Sequence, residues 1–139
     1  MIRFRISAVT LLVALTVLAG CSDQGTAPQV AGGGGGESDV SFAADIQPIF
    51  NANCIGCHGA GGNGGLDLRD GSSYGNLVGV EAMGYSLLRV EAGSSETSVL
   101  YLKLMGAPVT GTRMPVGGTL EQATIDLVAD WIDQGARNN

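Results

Sequence analysis

The hydrophobic positions of this chain form short stripes of helical period, separated by segments rich in glycine and polar residues. The first stripe has the spacing i, i+3, i+4 and i+8, and it consists of Ile46, Ile49, Phe50 and Cys54. Residues at this spacing share one face of an α-helix, so the stripe predicts an amphipathic helix that ends near Cys54. Asp45 is its predicted N-cap, and Pro48 falls in the first turn, where its missing N–H costs little.

A second clear helix is predicted near the end of the sequence. Its buried stripe consists of Ile125, Val128, Trp131 and Ile132. Thr119 and Gln122 have the spacing of a capping box, and Gly135 stands where a C-cap glycine belongs. The opposite face, which is typical of a solvated surface, carries the carboxylates of Asp126, Asp130 and Asp133.

Two shorter helices are predicted between these two. One lies within residues 72–80, and the other runs from a cap at Ser94 or Ser95 to about Leu104, ending before Gly106.

Three other segments carry no helical pattern. Residues 59–65 contain five glycines and are predicted to be a loop, as are residues 110–118. Residues 81–90 fit either a loop or a short turn.

The candidate chemistry lies at residues 54–58, which read Cys-Ile-Gly-Cys-His. Two cysteines three positions apart, followed directly by a histidine, are the attachment pattern of a c-type haem. On one helical turn, positions i, i+3 and i+4 share a face, so both thiols and the imidazole can meet one flat ligand. Cys54 and Cys57 would add to the haem vinyl groups as thioethers, and the neutral imidazole of His58 would ligate the iron.

Two other functions of a Cys-x-x-Cys pair fit this chain less well. Zinc would need two further ligands, yet the whole sequence has three cysteines and one histidine. A thioredoxin-like motif would open a helix after a strand, whereas the sequence around this motif is rich in glycine. The motif therefore predicts one covalently attached haem c.

The first 39 residues predict export and tethering. Arg3 and Arg5 precede an apolar run of about fourteen residues, too short to be taken first as a membrane-spanning helix. The run ends in Leu-Ala-Gly-Cys, which resembles a bacterial lipobox, so residues 1–20 are predicted to be a lipoprotein signal peptide and Cys21 the lipidated residue. An ordinary signal peptide with an incidental cysteine, or an uncleaved anchor, is the alternative.

The lipidated cysteine would open a flexible segment. Residues 21–39 include five consecutive glycines and no periodic pattern, which predicts a tether, and residues 40–139 then form one domain. The domain would be held at the periplasmic face of a membrane in the bacterial cell envelope. Ser22 follows Cys21, where an aspartate would be an inner-membrane retention signal, so the outer membrane is favoured.

Composition and charge narrow the class of partner. Of 139 residues, 23 are glycine and only 14% are charged, which predicts a small loop-rich domain packed around a bound macrocycle. The formal charge of −6 argues against nucleic acid and favours positively charged docking faces on redox partner proteins. Because a tether confines encounters to a membrane surface, membrane-bound partners are expected.

A second axial ligand to the iron must come from another residue type, since the chain has no second histidine. The candidates are Met83, Met105 and Met114, because Met1 falls in the signal peptide. Met105 ends a predicted helix among leucines, where core packing is the simpler interpretation, and Met83 lies in an unassigned segment. Met114 lies in a loop before the terminal helix and precedes Pro115, so it is the predicted ligand. A methionine that only packs on the haem is the alternative.

Taken together, residues 41–137 resemble a small monohaem cytochrome c of class I type. The resemblance is carried by Phe50 four residues before the motif, by Arg113-Met114-Pro115 and by Trp131-Ile132. Stretches such as residues 45–50, 65–68 and 131–136 are also similar to planctomycete-type cytochrome c domains. The resemblance implies an all-α fold of three to five short helices around one covalent haem. Its N- and C-terminal helices would cross near the haem, with Phe50 and Trp131 at or near the crossing.

The chain departs from that family pattern in one respect. Mitochondrial-type members place a proline after the motif, and its carbonyl holds the second nitrogen of the histidine. Here no proline occurs between Pro48 and Pro108, so the partner of His58 stays open.

The predicted function is one-electron transfer by a haem iron with histidine and methionine ligands, and no residue is assigned a catalytic role. Two alternatives stay open: a haem-bearing accessory subunit of a larger redox complex, and a small haem enzyme or sensor with an open sixth site. The sequence offers no paired carboxylates, Ser-His-Asp set or phosphate-binding loop.

Overall fold

Residues 38–139 are described by the computed structural model, and the regular structure in this range is helical. The four α-helices are α1 Gln47–Asn53, α2 Ser73–Leu77, α3 Val99–Met105 and α4 Gln122–Asp133. Single 3-10 turns lie between them at Asn63–Gly65, Ser95–Thr97 and Pro108–Thr110. Extended residues in this range form only isolated bridges, so the predicted small all-α fold is confirmed. None of its helices is both long and apolar enough to cross a membrane.

The predictions for the N-terminal region concern residues that lie almost entirely outside the range 38–139. The signal peptide at 1–20, the lipidation site Cys21 and nearly all of the tether at 21–39 lie outside the described residues.

The N-terminal helix begins earlier than predicted. A wide turn with π-type hydrogen bonds, Phe42–Ile46, leads directly into α1. Ser41 is the N-cap, because its Oγ accepts a hydrogen bond from the Ala44 N–H at 3.2 Å. The prediction of Asp45 as N-cap is therefore wrong; its carboxylate accepts a bond from the Ser41 N–H at 2.8 Å. The helix starts early because Phe42, one turn before Ile46, extends the buried stripe.

Phe42 joins the two ends of the domain through an aromatic cluster. Its ring centroid lies 5.1 Å from that of Trp131, 5.3 Å from that of Tyr74 and 6.3 Å from that of Phe50. Phe50 and Trp131 are each 1% exposed. Aromatic pairs at such distances add to the stabilisation that burial gives. Phe42 thus connects Phe50 to Trp131, although the sequence did not single it out.

Helix α4 has the predicted stripe but a later start. The stripe residues Ile125, Val128, Trp131 and Ile132 are all buried. The prediction of a capping box by Thr119 and Gln122 is wrong. The N-cap is Glu121, whose carbonyl accepts hydrogen bonds from the Thr124 and Ile125 N–H groups at 3.0 and 3.2 Å. Since the first turn closes on residue 121, Gln122 is the first helical residue and Thr119 lies outside the helix.

The end of α4 is a Schellman motif, which confirms Gly135 as the C-terminal glycine. Its φ is +99°, and its N–H donates to the Ile132 carbonyl at 2.9 Å. The Ala136 N–H donates to the Trp131 carbonyl at 2.9 Å, the second bond of the motif. The Tyr74 hydroxyl donates to the Ala136 carbonyl at 2.9 Å and so ties α2 to this end of α4.

The helix predicted to begin at Ser94 or Ser95 is split in two. A 3-10 turn comes first, and α3 begins only at Val99. The N–H and hydroxyl of Ser95 donate to the Asp133 carboxylate at 2.7 and 2.9 Å. Because these bonds hold the first turn against α4, the chain reorients before α3 starts. Asp133 therefore has a structural role as well as contact with solvent.

Residues 79–90 form a loop closed by its own backbone, named here the 79–90 loop. Three N–H groups donate across it at 3.0, 3.0 and 2.7 Å: Gly79 to Val90, Ala82 to Leu87 and Arg89 to Val80. The Val99 and Leu100 N–H groups at the start of α3 donate to the Leu88 and Arg89 carbonyls at 3.0 and 2.9 Å. The loop is therefore anchored on α3.

Candidate haem-attachment site

The Cys-x-x-Cys-His motif forms a hydrogen-bonded turn directly after α1. Helix α1 ends at Asn53, and Cys54 follows it with φ −123°. The Cys54 carbonyl accepts from the N–H groups of Cys57 and His58 at 3.1 and 2.9 Å. The glycines that follow let the chain turn away instead of continuing the helix. The turn still closes the three motif residues around one carbonyl group.

The two cysteines lie in different environments. Cys54 is half-buried and packs against the core, and this burial raises the pKa of its thiol to about 11. Cys57 is exposed, and both thiols are free. Both cysteines are thus available to form thioether bonds.

Asn63 sets the orientation and tautomer of His58. The Nδ1 atom of the imidazole lies 3.0 Å from the Asn63 carbonyl oxygen. Because a carbonyl oxygen can only accept, Nδ1 must carry the proton, and Nε2 keeps its lone pair for a metal. This is the partner that the sequence left open. It comes from a loop five residues after the histidine, and no proline is needed.

The 59–65 loop is tight around this hydrogen bond. The Asn63 N–H donates back to the Cys57 carbonyl at 3.1 Å. A Cβ at Gly62 would lie 2.8 Å from the Cys57 carbonyl oxygen and 2.8 Å from both the N and O atoms of Gly59. Contacts this short require glycine at position 62, so the loop depends on its glycine-rich sequence.

The three candidate methionines have different surroundings. Met83 is 71% exposed, and its Cε lies beside Gly65 in the loop that holds His58. Met105 is 40% exposed, and its sulfur accepts a long hydrogen bond of 3.9 Å from the Gln122 amide. Met114 is half-buried and packs against the hydrophobic core. Of the three side chains, that of Met114 is the one placed in apolar surroundings.

The segment at residues 107–118, which carries Met114, is attached to the end of α3. The Met114 N–H donates to the Lys103 carbonyl at 2.9 Å, and the Arg113 Nε donates to the Leu104 carbonyl at 2.8 Å. Both acceptors are carbonyls of the last turn of α3. The position of the Met114 backbone is thereby fixed relative to α3.

The residues present fit a haem c group. Cys54 and Cys57, two free thiols at attachment spacing, would hold the group; the imidazole of His58 and the half-buried thioether of Met114 are of the donor types that haem iron takes. Several apolar side chains pack on the core yet keep accessible surface that a planar apolar ligand could cover; they include Ile49, Leu66, Leu100, Tyr101 and Leu120.

The fold and the site define a c-type cytochrome domain, and the comparison with protein families agrees. The model of the family "Cytochrome c" matches residues 43–136, more than half of the chain. This chain belongs to the cytochrome c family, which implies a covalently bound haem c and confirms the resemblance read from the sequence. Members of this family are generally electron carriers, and redox proteins are their partners.

Two further comparisons add little to the family assignment. A search of curated proteins found no match. Among solved structures, hydrazine synthase of Kuenenia stuttgartiensis is similar over 70% of this chain, with 25% identity and a TM-score of 0.49. The match spans 16% of that chain.

Proposed function

We propose that this protein carries single electrons between redox partners while tethered by a lipid on Cys21 to the periplasmic face of a bacterial membrane. Cys54 and Cys57 hold the haem, and His58 and Met114 are the axial ligands. Family membership supports the carrier function. The observation that carries the assignment of His58 as ligand is the hydrogen bond from its Nδ1 to the Asn63 carbonyl, which leaves Nε2 available, and the half-buried position of the Met114 side chain supports its assignment.

The chain's own residues supply the ligands and their surroundings. When bound, haem supplies an iron that gains or loses one electron, and a histidine and methionine ligand pair raises its potential. The Asn63 carbonyl holds the imidazole in one tautomer. The bonds from 107–118 to α3 hold the Met114 backbone, and the partly buried apolar side chains reduce access of water.

Absorption spectra of the wild type and of Met114→Ala, recorded during a redox titration, test the ligand assignment. We expect a low-spin wild-type spectrum with a sulfur-to-iron band at its red end. In Met114→Ala this band is lost and the reduction potential falls, because the thioether stabilises ferrous iron. Met83→Ala and Met105→Ala are the matched controls and keep the wild-type spectrum.

One result of this experiment, and one result of each of two further experiments, would overturn parts of the proposal. A Met114→Ala spectrum and potential equal to wild type would show that Met114 is not the ligand. Rapid binding of carbon monoxide by the reduced wild type would favour an enzyme or sensor with an open sixth site. Co-purification with a fixed partner after gentle detergent extraction would assign the protein as an accessory subunit.

The charges of the domain support partners with a positively charged docking face. Every cationic side chain within residues 38–139 has a partner inside the chain: Arg69 pairs with Asp67, Arg137 pairs with Asp39, and Arg89, Lys103 and Arg113 donate to backbone carbonyls. Hydrogen bonds from Arg69 lower the pKa of Asp67 to about 2. Within residues 38–139, eleven carboxylate side chains stand against five cationic ones, so the domain is acidic, in line with the formal charge of −6 for the chain.

The tether is tested by fatty-acid labelling in growing cells. We expect the wild type to incorporate the label and to sediment with membranes, whereas Cys21→Ser does neither. Ser22→Asp supplies the retention signal that the sequence lacks, so it should move the labelled protein from the outer to the inner membrane fraction. A wild-type protein without label would exclude the lipid anchor and leave the haem assignment untouched.

A further inference from the structure

We propose that the 79–90 loop is a brace that positions both segments carrying the axial ligands. Arg89 holds the loop around His58, and we call this contact the His58 arm of the brace. Tyr85 holds the segment around Met114, and we call this contact the Met114 arm. The inference rests on the proposed ligation by these two residues, and it assigns a role to a part of the chain that the sequence left without one.

Arg89 makes three hydrogen bonds, and two of them reach the loop that holds His58. Its Nη2 donates to the carbonyls of Gly64 and Gly65 at 3.0 and 3.3 Å, and its Nη1 donates to the Asn76 carbonyl at 2.8 Å. Gly64 and Gly65 directly follow Asn63, whose carbonyl accepts the proton of His58 Nδ1. Charged donors form stronger hydrogen bonds than neutral ones, so the guanidinium fixes this end of the loop.

The side chain of Met83, which also belongs to the 79–90 loop, lies beside the same glycine-rich loop. The Cε atom of Met83 lies 3.7 Å from the position that a Cβ on Gly65 would take. Gly64 and Gly65 have φ values of +68° and +63°, the left-handed conformation that glycine adopts readily. Arg89 thus holds these two residues from outside their loop.

Tyr85 is connected to the Met114 side through Thr110. Its hydroxyl donates to the Thr110 carbonyl at 2.8 Å. The Lys103 ammonium donates to the same carbonyl at 2.8 Å and lies 5.3 Å from the centroid of the Tyr85 ring. Thr110 is 1% exposed and stands four residues before Met114. One buried carbonyl is therefore held by both the brace and α3.

The two arms are linked by the hydrogen-bonded backbone of the 79–90 loop. Tyr85 and Arg89 are four residues apart, and the backbone bonds from Ala82 to Leu87 and from Arg89 to Val80 close the loop around them. A shift of either arm must therefore move the other arm or break these bonds. The brace thus fixes the position of the His58 loop relative to the Met114 segment.

Tyr85→Phe tests the Met114 arm, with Tyr74→Phe as the matched control. Both changes remove a hydroxyl that donates to a backbone carbonyl, but Tyr74 donates to Ala136 at the end of α4. In Tyr85→Phe we expect the amide hydrogen exchange rate of residues 107–118 to rise by about three- to ten-fold, because loss of one hydrogen bond makes local opening of this segment easier. The affinity of the ferric protein for imidazole rises by a similar factor, because the Met114 segment opens more often.

Arg89→Gln tests the His58 arm, with Arg137→Gln as the matched control. Arg137 is also an arginine with an intramolecular partner, but that partner is Asp39. In Arg89→Gln we expect amide exchange at residues 59–66 to rise about ten-fold or more, and the His58 Nδ1 proton of the ferrous protein to exchange faster by a similar factor. Arg89→Lys restores only part of the protection, since one ammonium group cannot reach three carbonyls with the geometry of a guanidinium.

The two kinds of readout separate this inference from the proposed function. If exchange at 107–118 in Tyr85→Phe and at 59–66 in Arg89→Gln is no faster than in the matched controls, the brace is overturned even if the protein is a haem-bearing carrier. If exchange rises as expected while imidazole affinity stays at the wild-type value, the brace stands and the assignment of Met114 as ligand fails.

Discussion

The Nδ1 atom of His58 and the carbonyl oxygen of Asn63 lie 3.0 Å apart, and this contact determines which ring nitrogen can bind a metal. The acceptor is a backbone atom in a loop of only seven residues, 59–65. The orientation of the imidazole therefore depends on the conformation of this loop. The first prediction tests that dependence.

Gly62→Ala should distort the loop that holds His58. The new Cβ would lie 2.8 Å from three backbone atoms, so the chain must shift, and we expect the free energy of unfolding to fall by about 1–3 kcal/mol. Urea titration measures this loss. Gly118→Ala is the control, since no atom lies within 4 Å of its added Cβ. Equal unfolding midpoints for the two variants would show that the loop is not tightly packed.

Gly106→Ala should loosen the attachment of the Met114 segment. Gly106 has φ +72° at the end of α3, and an added Cβ would lie 2.9 Å from the Arg113 Cδ. Both the left-handed backbone and the displaced Arg113 side chain destabilise the variant, by about 1–3 kcal/mol together. We expect a lower unfolding midpoint and a weakened sulfur-to-iron band.

The control for this change is Gly75→Ala, in α2. No atom lies within 4 Å of its added Cβ, and alanine favours a helix over glycine by about 1 kcal/mol, so stability should stay equal or rise. A Gly106→Ala variant as stable as Gly75→Ala, with an unchanged band, would contradict the proposed role of Gly106.

Phe42→Ala should have the largest effect on stability of the changes considered. Phe42 is 5% exposed and its ring meets those of Phe50, Tyr74 and Trp131. Loss of a buried phenylalanine costs about 3–5 kcal/mol, measurable by chemical denaturation. Val109→Ala removes a side chain that is 67% exposed, so it should change stability by less than about 0.5 kcal/mol. A small effect at Phe42 would mean that the two ends of the domain pack independently.

Electron transfer should depend on salt in the direction set by the acidic surface. The rate of reduction of a cationic small-molecule acceptor is expected to fall as ionic strength rises, because screening shortens the Debye length to about 10 Å at 0.1 M. An anionic acceptor should show the opposite trend, since salt weakens its repulsion from a chain with a formal charge of −6. Rates independent of salt for both acceptors would exclude steering by surface charge.

The sequence predicted those features that depend on side-chain period and local backbone freedom. The buried stripe of α4 and the C-terminal glycine at Gly135 follow from a 3.6-residue period and from the left-handed conformation, and both are present. The helix starts were predicted less well. Asp45 and Thr119 have capping side chains, but the helices begin where tertiary packing places the first turn, at Phe42 and Gln122.

The features that the sequence missed depend on hydrogen bonds to main-chain carbonyls. The partner of His58 is a main-chain carbonyl, and any residue type at position 63 would supply one. Arg89 and Tyr85 have no periodic pattern around them. Arg89 donates to the carbonyl of Gly64 and Tyr85 to that of Thr110, and each acceptor lies 25 positions from its donor along the chain. Main-chain acceptors leave no signature in the amino-acid sequence, so only the fold identifies them.

Mass spectrometry of the protein, exported from a host that matures c-type cytochromes, tests the central claim most directly. We predict that a peptide containing residues 54–58 carries the mass of one covalently bound haem, and that the band of the whole protein keeps haem through denaturing electrophoresis. Cys54→Ser with Cys57→Ser should abolish both signals. A correctly exported wild-type protein that is colourless, with both thiols unmodified, would contradict the account.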